Sequence, residues 1–174
     1  MSISAQERFE LKTISQKGTK SVGSYGSVTN EVTSIADKAH YSLGGYGGVL
    51  LNHKLLLGGL GKVVFTERSN HRFNQSTFVY FGPYTEYLIK PENVVHFSVG
   101  LMGGLGVFSS IIGEKSNLIF VTEPKLGIQV NVTNFMRIAG NISYRYTGNT
   151  KYGSFKEDDF NSISTGVGLS FGKF

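Results

Sequence analysis

From about residue 20 onward, apolar and polar side chains alternate with a period of two. That period puts successive side chains on opposite faces of an extended strand. The cleanest stretch is the seventh. Met136, Ile138, Ile142, Tyr144 and Tyr146 face one way there, and Arg137, Ala139, Asn141, Ser143 and Arg145 the other. Comparable stretches fall at about 20–35, 39–51, 54–67, 77–90, 94–111, 120–132 and 162–171. The first is the least marked, because neither of its faces is strongly apolar. Pro83 lies inside the fourth, where it costs a ladder hydrogen bond and predicts a bulge or local distortion.

The stretches come in pairs. Turn-like or terminal marks at Asn52-His53, Pro91-Glu92-Asn93, Thr133-Asn134 and Phe174 are spaced by about 40 residues. Lys90-Pro91-Glu92-Asn93 suits a type I turn with Pro at its second position. The opposite ends carry more polar segments, generally longer, at about 32–38, 68–76, 112–117 and 148–160. Four hairpins give eight antiparallel strands, enough to close a small barrel. Short turns at one end and longer loops at the other match the layout of transmembrane barrels. Strands of about 12 residues, tilted by about 40°, rise about 30 Å and cover an apolar band about 25 Å tall. The fold class expected is therefore all-β, an eight-stranded antiparallel up-and-down transmembrane β-barrel over residues 20–174, after a polar N-terminal segment 1–19. A propeller could also repeat at this period, but its blades need four short strands and these repeats hold two long ones.

Composition narrows the reading. Charged residues make up 17% of the chain, against about 25% in an ordinary soluble domain. No apolar run approaches the length of a membrane-spanning helix, so a membrane role must rest on strands. With no Cys there is no disulfide, thiolate metal site or cysteine nucleophile. The net charge is +5, yet Lys17, Lys20 and Lys38 are scattered and form no nucleic-acid patch. Anionic lipid headgroups suffice as partners for that charge. Residues 1–18 contain no apolar core of a secretory signal, so an outer-membrane destination requires that one has been removed.

Period two does not say which face points inward. In a soluble lipocalin-like barrel the apolar face lines a ligand cavity; in a membrane barrel it meets lipid. The polar face collects Lys62, Glu86, Glu123, Lys125, Arg137 and Arg145, with His96, Gln129 and Asn141. That set is too sparse in charge to coat a soluble barrel. It suits the cramped lumen of an eight-stranded one, where the ions must pair with one another. Tyr41, Phe65, Tyr87, Phe97, Phe135, Tyr144 and Tyr146 fall near strand ends, where aromatic girdles meet lipid headgroups.

Candidate chemistry is thin. His40, His53, His71 and His96 lack metal-ligand spacing. His71 with Asp158 or Asp159 could serve a lipid-modifying enzyme at the outer rim, but no nucleophile motif accompanies them. Glu157-Asp158-Asp159 lacks the spacing of a calcium loop. Gly58-Gly59-Leu60-Gly61-Lys62 lacks the first glycine of a phosphate loop. No cofactor, metal or catalytic residue is expected.

The architecture and the ending Gly166-Val167-Gly168-Leu169-Ser170-Phe171-Gly172-Lys173-Phe174 resemble the small outer-membrane β-barrel family of the OmpA transmembrane domain and OmpX type. The resemblance covers residues 20–174. It implies an assembly signal at Leu169, Phe171 and Phe174, read by the barrel-assembly machinery. In this chain Phe171, Leu169 and Val167 sit one place out of phase with Phe174. Either Phe174 turns away from the lipid face or a bulge resets the register. Family members include tethers, adhesins, defence factors and a few enzymes, so the resemblance names no single function. The function expected is a non-enzymatic protein of a Gram-negative outer membrane, acting through its loops and barrel wall. Its partners would be outer-membrane lipids, the assembly machinery and a larger outer-membrane complex, with no nucleic acid.

Overall fold

The computed structural model describes residues 22–35, 38–67, 75–109, 118–148 and 161–174. These form β1 (Val22–Ile35), β2 (Lys38–Leu51), β3 (Leu55–Glu67), β4 (Gln75–Ile89), β5 (Val95–Ser109), β6 (Leu118–Asn131), β7 (Met136–Gly148) and β8 (Ser162–Lys173). Each strand pairs antiparallel with the next, and β8 pairs with β1 to close the barrel. Closure leaves no unpaired sheet edge. The N-terminal segment 1–19, His71, and the Glu157-Asp158-Asp159 run lie outside the described residues.

The short turns share one end of the barrel. Asn52 and His53 both have positive φ, 53° and 57°, and the Lys54 N–H donates to the Leu51 carbonyl at 3.0 Å. That is the primed turn whose twist matches the flanking strands, and Asn suits its first central position. At the next turn the Asn93 N–H donates to the Lys90 carbonyl at 3.0 Å, with Pro91 at the second position as its fixed φ predicts. Val132 and Thr133 both donate to the Met136 carbonyl at 3.1 Å to close the third.

One expectation changes and another is made specific. The segment at 32–38 is mostly strand: β1 runs to Ile35 and β2 begins at Lys38, its Cα partner. Thr33 faces inward and bonds the hydroxyls of Ser162 and Ser164, each at 2.8 Å. Pro83 brings the expected local distortion, in the form of an interrupted ladder and not a bulge. Its ladder with β3 is continuous, and toward β5 the pairing skips Gly82 and Pro83, then resumes in unshifted register at Tyr84 and Met102. The missing N–H thus faces one neighbour only. Pro124 interrupts the ladder of β6 with β7 in the same way.

The faces are now assigned. Leu43, Val49, Leu57, Phe81, Val99, Leu101, Leu126, Ile128, Ile138, Ile142, Val167 and Leu169 are all exposed on the outer wall. The seven aromatics singled out near strand ends are exposed there too, and Tyr41 stacks on Phe65 with ring centroids 6.2 Å apart. Tyr41, Phe65, Tyr144 and Tyr146 stand toward the loop end, and Tyr87, Phe97 and Phe135 toward the turn end. A soluble barrel holding an apolar ligand needs the reverse facing.

A charged cluster inside the barrel as candidate functional site

The lumen is layered. At the turn end Leu50, Leu56 and Leu88 are fully buried, and at the loop end Val64, Phe78, Ile119 and Val121. Between these apolar layers lies an ionic cluster, so its charges are shielded from both mouths. Lys62 on β3 reaches Glu31 on β1 at 2.5 Å and Glu123 on β6 at 2.5 Å. Lys125, two residues from Glu123 on the same inward face, lies 3.6 Å from Glu31 and 4.5 Å from the centre of the Tyr46 ring. The Tyr80 hydroxyl donates to Glu123 at 2.6 Å. The order across the lumen is Lys125, Glu31, Lys62, Glu123, Tyr80, with alternating charge along the four ions. Such pairing is the condition on which a low-dielectric interior tolerates ions.

Glu86 forms a second group nearer the turns. It accepts a hydrogen bond from the Tyr25 hydroxyl and another from Gln129 at 3.1 Å. Tyr46 packs edge-on against both Tyr84 (4.9 Å) and Tyr25 (6.2 Å), joining the two groups. Near the loop end Arg145 donates to the Ser162 hydroxyl at 2.9 Å and to the Ser34 carbonyl at 3.1 Å. Glycines make this crowding possible. A Cβ at Gly58 would strike the Gly47 carbonyl and crowd Gly48 on the facing strand, and one at Gly100 would strike the Tyr84 ring.

Lys62, Glu86, His96, Glu123, Lys125, Gln129, Arg137, Asn141 and Arg145 all lie on the inward face and are buried. They divide into separate groups. Lys62, Glu123 and Lys125 meet in the central cluster, while Glu86 and Gln129 meet nearer the turns. His96 approaches the Asn93 carbonyl at 3.3 Å, and neither amide atom of Asn141 has a hydrogen-bond partner among the described residues. Leu169 and Phe171 face outward. Phe174 turns inward, its ring 5.2 Å from Tyr25 and 3.6 Å beneath the Arg137 guanidinium.

Sequence reasoning passed over Glu31, the carboxylate that both lysines share, and Tyr25. The signal was the alternation Tyr25, Ser27, Thr29, Glu31, Thr33 in β1, whose opposite face is too poor in apolar residues to stand out. Among the described residues no group of His, Asp and Glu is arranged to hold a metal ion.

Solved structures give this barrel its context. Neisserial surface protein A aligns over 90% of this chain and 100% of its own, with a TM-score of 0.63 and 15% identity. The chain shares the fold of the small outer-membrane β-barrels. Ail, the attachment invasion locus protein of Yersinia pestis, aligns over 88% of this chain and 99% of its own, with a TM-score of 0.50 and 14% identity. Ail has also been solved in complex with the heparin analogue sucrose octasulfate. No protein-family model matches the chain, and no curated sequence matches it. The likeness is one of architecture: strand number, closure and facing recur where few residues do.

Proposed function

We propose that this protein spans a Gram-negative outer membrane as a non-enzymatic barrel and works as a structural or interaction component through its loops and outer wall. The observation that carries the reading is an apolar exterior, rimmed with aromatics at both ends, around an interior packed with paired ions and side chains. An exterior of this kind needs lipid, and a filled lumen leaves the outer surface as the part that acts. Ail is an instance of the same scaffold named for attachment. On this reading Leu169, Phe171 and Phe174 are the strand end that the assembly machinery engages, with Phe174 recognised before its ring folds inward.

The test is electrophoresis in SDS of boiled and unboiled protein refolded in detergent. A closed barrel resists SDS until heated, so the unboiled sample should migrate differently. A folded monomer in detergent-free buffer, with no heat-dependent shift, overturns the membrane reading. Release of acyl chains from phospholipid vesicles that is lost in His71→Ala overturns the non-enzymatic part.

A further inference from the structure

We propose that the turn end of the lumen is a binding site for a phosphate-type oxyanion, held by Arg137. Among the described residues the lumen buries four cations, Lys62, Lys125, Arg137 and Arg145, and three carboxylates, Glu31, Glu86 and Glu123. Glu31 and Glu123 are taken up by Lys62 and Lys125. Glu86 is engaged by Tyr25 and Gln129. Arg145 donates to Ser34 and Ser162. Arg137 is 4% exposed and, among the described residues, forms no ion pair and has no hydrogen-bond partner on its buried Nε and Nη1. Its guanidinium lies over the face of Phe174, and Glu86 acts on it from beyond ion-pair distance. A ring face and a carboxylate beyond ion-pair distance compensate a desolvated cation only in part, so this position suits a further anion.

The neighbouring groups are suited to one. Ser170 is the Cα partner of Arg137 across the β7–β8 ladder, and its buried hydroxyl lies within reach of the Tyr46 hydroxyl. His96 and Gln129 are Cα partners on β5 and β6, inward and near the same turns, where their buried side chains meet. Arg137 is the second residue of β7, which places this group at a mouth of the barrel. The planar guanidinium fork, with a hydroxyl opposite, matches an oxyanion with several acceptor oxygens better than it matches chloride. Phosphate free in solution and the phosphate of a lipid headgroup share this chemistry.

The test uses the full chain refolded in a maltoside detergent without phospholipid. Inorganic phosphate is titrated against chloride at equal ionic strength, and the Nε–H signal of Arg137 is followed by NMR, assigned by its loss in Arg137→Lys. A saturable shift with phosphate that chloride does not reproduce is expected. Backbone signals of β7 should show binding about tenfold weaker in Arg137→Lys, through loss of the two-pronged contact, and absent in Arg137→Met. Discs of phosphatidylglycerol are then compared with discs of a phosphate-free glycolipid. A signal already shifted in phosphatidylglycerol alone assigns the site to headgroups, while equal phosphate titrations in both assign it to the free anion. A response equal to that of chloride, or one that survives in Arg137→Met, overturns the proposal. The phosphate–chloride comparison in the unaltered protein decides the matter even where Arg137→Met does not fold.

Discussion

Replacing Glu31 with Gln tests whether the ionic cluster holds the barrel together. The substitution keeps the side-chain shape and removes one charge. Glu31 lies 2.5 Å from Lys62 and 3.6 Å from Lys125. Lys62 keeps Glu123 after the change, but Lys125 loses the carboxylate at ion-pair distance and keeps the weaker pull of Glu86 and Glu123. At an effective dielectric constant of about 20, the Lys125–Glu31 attraction alone is about 5 kcal/mol before desolvation is considered. Removing one partner of a buried pair typically costs about 3–5 kcal/mol, because the other charge stays buried and uncompensated. Glu31→Gln should therefore destabilise the barrel by about 3–5 kcal/mol. The assay is urea unfolding of the protein in lipid vesicles, followed by the heat-sensitive gel shift. Lys125→Met removes the stranded charge and leaves Lys62 between Glu31 and Glu123, at a smaller cost. The double variant Glu31→Gln/Lys125→Met restores a neutral Lys62–Glu123 pair and should recover part of the loss seen in Glu31→Gln. A Glu31→Gln barrel within about 0.5 kcal/mol of wild type, or a double variant that merely adds the two single costs, would refute this account.

Two further outcomes follow from the facing and packing of the strands. Leu126 is exposed on the outer wall, so Leu126→Arg should cost up to about 2–4 kcal/mol in vesicles, depending on its depth. Leu126→Ala serves as the uncharged control, and equal midpoints for the two variants would mean that this wall does not meet hydrocarbon. Gly58→Ala would drive its Cβ into the backbone of Gly47 and Gly48. Refolding yield, read from the fraction of heat-shiftable protein, should fall sharply, whereas Gly140→Ala, which meets nothing within 4 Å, should refold like wild type.

Much of this architecture can be read locally. The period of two in Met136–Gly148 (β7), the proline turn at Lys90–Asn93 and the primed turn at Asn52-His53 each follow from a few adjacent residues. Four such hairpins of matching length leave a small closed barrel as the natural arrangement, and alternation sorts the residues into two faces. What alternation does not carry is anything that depends on residues distant in the chain. Glu31 meets Lys62 across 31 positions and Lys62 meets Glu123 across 61. No local pattern marks Glu31 as the carboxylate that two lysines share. The apolar layers above and below the ions appear only when inward residues from different strands are brought to one level.

The chemistry of its side chains in strict alternation thus determined the strands, the turns and the membership of each face. Closure decided the rest. It drew Lys62, Lys125, Glu31 and Glu123 into one buried group and turned Phe174 onto Arg137, inside a lumen that the sparse charge of the polar face had already pointed to. The physical reason is range. Strand geometry and turn preference are short-range properties of adjacent residues, whereas charge compensation in a low-dielectric lumen depends on which strands the barrel brings face to face.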